Sequence, residues 1–177
     1  MNSAEGAPPP PWWQVVTVGR NPRVTFLRLL MLVALTLLAF RYGFVPVRVT
    51  GISMLPSYRD GERRWVSPLA AWIQGLQRGD VVAVETSGRR LLYLKRVVGL
   101  PGERVRILNG MVQVNGEALE ESYVAPERAK WNWPTNSTER VLGPEEFFVV
   151  GDNRGMAMDA HYFGVAQRGR ILGKLVR

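Results

Sequence analysis

The sequence predicts a mainly β protein: an antiparallel β-sheet or barrel-like domain tethered by one N-terminal transmembrane helix. Three observations carry that expectation. One strongly apolar run, Val24 to Val45, lies near the N-terminus. After it come short runs of β-branched and apolar residues separated by turn signals. The only amphipathic stretch of helical character beyond the run is Leu69 to Leu76, and Gly75 weakens it. Chain length, 177 residues, leaves about 130 after the run, enough for one hydrophobic core.

Residues 1–22 read as a disordered tail, because the run Pro8–Pro11 is incompatible with helix. Residues 23–45 read as the transmembrane anchor. Its centre, Leu29–Phe40, carries no charge, and Arg28 and Arg41 are placed to snorkel at the ends. A cleaved signal peptide is the rival reading, but the following Ala39-Phe-Arg-Tyr-Gly43 has no small-x-small cleavage site. Arg20, Arg23 and Arg28 precede the core of the run and Arg41 and Arg48 follow it, which favours the N-terminus inside. Residues 46–177 form the β-rich domain, with 103–145 as a variable hairpin and loop insertion.

Within that domain Val81–Glu85 and Leu91–Gly99 read as strands joined by a turn at Thr86–Arg89. Arg104–Leu108 and Met111–Val114 flank Asn109-Gly110, a type I′ hairpin signal. Phe147–Asp152 and Gly169–Val176 complete the strand inventory, and residues 126–145 read as a long loop.

Composition removes several chemistries. There are no cysteines, so disulfides, zinc-thiolate sites and cysteine nucleophiles are excluded. A single histidine, His161, and scattered carboxylates give no metal-ligand spacing, and no metal or cofactor is expected. The net charge of +8 comes from dispersed arginines without a nucleic-acid-binding motif, so lipid head groups are the expected beneficiary and nucleic acid is not. Neither the Gly-x-Ser-x-Gly elbow nor Ser-x-x-Lys occurs. What remains for a hydrolase is a serine with a lysine from elsewhere in the fold.

Only Lys95, Lys130 and Lys174 are lysines. Lys95 lies in a strand that is apolar on both sides of it, and alternation sends Lys95 and Arg96 to opposite faces. If Lys95 points inward, desolvation lowers its pKa and prepares a general base. Taken from the strand alone, a lysine whose head reaches water is the open alternative.

Four segments in order resemble the type I signal peptidases, membrane-bound Ser-Lys proteases. Gly51-Ile-Ser-Met-Leu-Pro-Ser57 resembles the nucleophile box, with Ser57 where threonine is usual. Gln77-Arg-Gly-Asp-Val-Val-Ala-Val84 resembles the Arg-Gly-Asp strand. Lys95-Arg-Val-Val-Gly-Leu-Pro-Gly-Glu103 resembles the general-base box, and Gly151-Asp-Asn-Arg154 with the following residues resembles the last. The resemblance implies Ser53 as nucleophile and Lys95 as general base. It also implies Gly51, Ser53, Met54 and Pro56 as the oxyanion and substrate loop, and Arg96, Asp152, Asn153, Arg154, Asp159 and His161 as structural support.

Two departures from the family stand out. Ala157 replaces a serine that usually bonds the lysine amine, and His161 replaces an arginine usually paired with the aspartate, here Asp159. Gly51 stands where some members carry a hydroxyl that helps the oxyanion hole. The implied partners are preprotein signal peptides and a lipid bilayer, at the bacterial cytoplasmic membrane with the catalytic domain outside. The oligomeric state is not set by the sequence. The rival functions are a LexA-like Ser-Lys autoprotease and a membrane-anchored module, or weakened paralogue, that binds secreted chains without cutting them.

Overall fold

The computed structural model describes residues 21–85, 92–108, 111–124, 137–156 and 164–176. Internal contacts divide the chain into two units, one ending at Tyr42 and one beginning at Gly43.

Helix α1, Pro22–Gly43, belongs to the first unit as far as Tyr42. Asn21 caps it by accepting the Arg23 N–H on Oδ1 at 3.2 Å, and Pro22 takes the first helical position, where its missing N–H costs nothing. Arg41 in the last turn complements the helix dipole. At 1.5 Å per residue the helix is about 33 Å long, which matches the hydrocarbon thickness of a bilayer. Its leucines are exposed, and by length and composition it is able to cross a membrane. Of the tail expected over residues 1–22, all but Asn21 and Pro22 lie outside the described residues.

The second unit is built on two antiparallel sheets. Seven strands pair in the order β1-β2-β11-β3-β4-β9-β10 and four in the order β7-β6-β5-β8. The larger sheet comprises β1 (Val45–Arg48), β2 (Arg63–Ser67), β3 (Val81–Glu85), β4 (Leu92–Gly99), β9 (Glu146–Val150), β10 (Gly164–Gln167) and β11 (Ile171–Leu175). The smaller comprises β5 (Arg104–Leu108), β6 (Met111–Val114), β7 (Glu117–Ala118) and β8 (Arg140–Val141).

Strand β3 explains its own continuous Val-Val-Ala-Val pattern. Val81 and Ala83 pack into one core cluster with Val47, Val49, Met54, Val66 and Leu94, while Val82 and Val84 pack into another with Val97, Phe147, Val149 and Ile171. A strand buried on both faces has no polar side to alternate. A third cluster joins the sheets, with Val98, Phe148 and Val150 of the large one against Val105, Ile107, Val112 and Val114 of the small one. Gly99 lies at this seam. A Cβ placed there would sit 2.6 Å from Val105 Cγ2, and 2.9 Å from both Leu142 Cδ1 and Phe148 Cβ.

Helix α2, Pro68–Ile73, occupies the stretch expected to be helical. Ser67 caps it through the Ala70 N–H at 3.0 Å, and Gly75 at φ +70° follows its end. Leu69, Trp72 and Ile73 are exposed on it.

The strand inventory read from the sequence was incomplete. β1, β2, β7, β8 and β10 are additional, and β8 falls inside the stretch 126–145 expected to be loop. β8 is two residues long and exposed, so it carries no periodicity. β7 had a legible signal: Asn115 at φ +53° and Gly116 at φ +91° form the turn between it and β6. The turns expected at 86–89 and 109–110 lie outside the described residues.

Candidate active site

The turn Gly51–Tyr58 between β1 and β2 is fixed from both sides. Gly51 adopts φ +83°, a region costly for residues with a Cβ, and its N–H donates to Asp60 Oδ1 at 2.7 Å. The Leu55 N–H bonds the Ile52 carbonyl at 3.2 Å and the Tyr58 N–H the Met54 carbonyl at 2.9 Å. Met54, 1% exposed, plugs the turn into the core beneath it. The Leu55-Pro56 bond is cis, and Pro56 is exposed. Ser53 is thereby presented at the turn with its backbone held by a distant segment: Asn153 N–H donates to the Ser53 carbonyl at 2.9 Å, and Asn153 Nδ2 to the Ile52 carbonyl at 3.0 Å.

Strand β4 brings the lysine. Lys95 pairs with Val82 across the ladder to β3, is 1% exposed, and donates from Nζ to Ser53 Oγ at 2.6 Å. Burial pulls its amine down from the ordinary 10.5 to about 8, while the charge of Asp152 pushes it back up in part. About one amine in ten is then neutral at pH 7. A neutral amine at this distance is able to accept the hydroxyl proton of Ser53. The Tyr93 ring lies 5.8 Å from Nζ.

Arg96, the next residue, goes to Asp152. Its Nε donates to Oδ1 at 2.8 Å and its Nη2 to Oδ2 at 2.6 Å, a two-point fork on a carboxylate that is 0% exposed. Asp152 Oδ2 also accepts Ser57 Oγ at 2.5 Å, so the same carboxylate holds the far end of the serine turn. Arg96 Nη1 donates to the Gly79 carbonyl at 2.8 Å, tying in the Arg-Gly-Asp segment. Arg154 is buried and pairs with Glu121.

The structure therefore brings together Gly51, Ser53, Met54, Lys95, Arg96, Asp152, Asn153 and Arg154 in one linked region. Asp159 and His161, with Ala157 and Ala160, lie outside the described residues, as does Lys130. Sequence reasoning missed Ser57 as a ligand of Asp152, Asp60 as the partner of Gly51, and Glu121 and Tyr123. Among the described residues no group of His, Asp and Glu is arranged to hold a metal ion.

A protein-family model described as signal peptidase, peptidase S26, matches residues 23–177. The chain belongs to that family. It is 33% identical over 151 residues to signal peptidase I of Bacillus amyloliquefaciens, a match covering 82% of this chain and 78% of the relative. It is 36% identical over 135 residues to signal peptidase I S of Bacillus subtilis strain 168, covering 72% of each. A solved signal peptidase I from Enterococcus faecalis V583 is 27% identical, covering 57% of this chain and 97% of that one with a TM-score of 0.45. The chain is thus a serine endopeptidase of the signal peptidase I kind. Its apolar N-terminal helix is consistent with a membrane anchor.

Proposed function

We propose that Ser53 and Lys95 form the dyad with which this peptidase removes signal peptides from preproteins, cutting after a small residue at Ala-x-Ala-like sites. The observation that carries this reading is the 2.6 Å contact between Ser53 Oγ and an amine that burial has brought to about 8. Neutral Lys95 accepts the Ser53 proton as Oγ attacks the carbonyl at the cleavage site. The Ser53 N–H, which bonds no other described residue, faces the charge that develops on the carbonyl oxygen. Protonated Lys95 then gives its proton to the departing amine, leaving an acyl-enzyme. Lys95 next takes a proton from water, and the hydroxide releases the signal peptide. Substrate is expected to enter as an added strand, its alternate small side chains facing the site.

The bilayer completes the reading. Three arginines before the apolar core against two after it favour the N-terminus inside and the peptidase domain outside, at a bacterial cytoplasmic membrane. Exposed Leu69, Trp72 and Ile73 on α2 suit an interface between water and lipid.

The deciding experiment is cleavage of a purified preprotein with an Ala-x-Ala site, in detergent, by wild type and by Ser53→Ala. Processing by wild type alone is the expected result. Equal processing by Ser53→Ala would remove Ser53 from the mechanism.

A further inference from the structure

Two buried arginines stand on either side of Asp152-Asn153, and one short segment reaches both. Glu121 and Tyr123 lie just after β7 and before β8, outside the four boxes that carry the chemistry. Glu121 Oε2 accepts Arg154 Nη1 at 2.8 Å and Oε1 accepts Arg154 Nη2, so the carboxylate forks a guanidinium that is 1% exposed. Arg154 Nε donates to the Gly151 carbonyl at 2.9 Å, closing the Gly-Asp-Asn-Arg loop on itself. Tyr123 places its ring 3.9 Å from the Arg96 guanidinium, covering the group that forks Asp152. The Tyr123 hydroxyl donates to Glu121 Oε1 at 2.7 Å, which braces the two contacts against each other. Burial, and the Glu121 charge beside it, hold that hydroxyl well above its ordinary pKa and so keep it a donor.

We propose that Glu121 and Tyr123 are positioning residues for the peptidase reaction, a clamp that fixes the serine turn through Arg154 and Arg96. This rests on the reading of Ser53 and Lys95 given above. Asp152 and Asn153 supply the contacts from outside the turn to the Ser57 hydroxyl and to the Ser53 and Ile52 carbonyls, so a shift in them shifts Ser53. Without the Glu121 charge, the Arg154 guanidinium loses the fork that holds it while its Nε closes the Gly151–Arg154 loop. A looser loop carries Asp152 and Asn153 away from the turn they hold. Without the Tyr123 ring, Arg96 loosens from Asp152, and the carboxylate acts on Lys95 with less of its charge offset. Among the described residues, the groups facing Lys95 are Ser53, the Tyr93 ring and Asp152.

The test uses the full chain in detergent with the Ala-x-Ala preprotein, and kcat is counted per folded enzyme from thermal unfolding of the same sample. Wild type must cut and Ser53→Ala must not; if that fails, the nucleophile assignment has fallen and takes the clamp with it. Given that control, Glu121→Gln is expected to lower kcat about 10- to 100-fold with KM unchanged, the scale of a displaced reacting group. Adding Arg154→Gln to Glu121→Gln is expected to cost little more than Glu121→Gln alone, because the two residues act through one contact. Tyr123→Phe keeps the ring and is expected to stay near wild type in its pH profile, whereas Tyr123→Leu moves the acid limb of kcat/KM to higher pH. A purely structural role would lower the unfolding midpoint and leave kcat per folded enzyme and the acid limb where they were. That outcome overturns the clamp while leaving the Ser53 and Lys95 reading intact.

Discussion

Two strand lysines on the same sheet meet different fates. Lys174 on β11 reaches Asp80 Oδ2 at 3.4 Å and the Gly75 carbonyl at 3.5 Å, with 12% of its side chain exposed. Lys95 on β4 is 1% exposed, and its one hydrogen-bond partner among the described residues is a serine hydroxyl. The first amine has a carboxylate in reach. The second has, among the described residues, burial without a contacting counter-ion, and the nearby carboxylate of Asp152 is committed to Arg96 and Ser57. Strand position alone does not lower an amine's pKa; what the neighbouring loops set against the amine does.

The contrast breaks most visibly on removing each amine. Lys95→Met keeps the stem and loses the proton acceptor, so kcat/KM for the Ala-x-Ala preprotein is expected to fall on the order of 10⁴-fold. Activity within tenfold of wild type would end the case for Lys95 as base.

Asp152→Asn attacks what separates the two sites. It leaves the Arg96 cation buried against a neutral partner, at an expected cost of about 3–5 kcal/mol, read by thermal unfolding. It also removes the charge that pushes the Lys95 amine up, so in the folded fraction the acid limb of activity should move to lower pH. A shift in the opposite direction would mean that Asp152 does not act on Lys95 by charge.

The wild-type pH profile sharpens the comparison further. Lys95 is lowered in the folded chain, so its active, neutral form accumulates as pH rises through about 8 and is lost below it. kcat/KM is expected to climb with pH and level off above that value. An acid limb near 10 would indicate an amine that water reaches.

The smallest effect belongs to the other lysine. Lys174→Met breaks a long, partly exposed pair, and is expected to change kcat/KM by less than about twofold and stability by under 1 kcal/mol.

Much of this contrast was legible in the residues, for physical reasons that differ by element. The apolar run announced α1, since a bilayer demands about 20 apolar residues without interruption. β3 and β4 were visible as dense β-branched runs, and the Ser53 and Lys95 boxes are local in sequence. β2 was not visible: Arg63, Arg64 and Trp65 are exposed and only Val66 and Ser67 are buried, so the strand shows neither alternation nor a run. Glu121 and Tyr123 were invisible for another reason. Their contacts reach to Arg154, 33 residues away, and to Arg96, and no periodicity encodes a contact at such separations. Burial of Lys95 was left open by its own strand and depended on where the serine turn came to rest.

Gly99 sets a rule for how this chain is able to change over generations. An alanine there collides with Val105, Leu142 and Phe148 at once. Substitution at 99 thus becomes tolerable only in a lineage where those neighbours have already shrunk or withdrawn. The order of events is constrained, and the seam between the sheets will drift as a group of four positions or stay as it is.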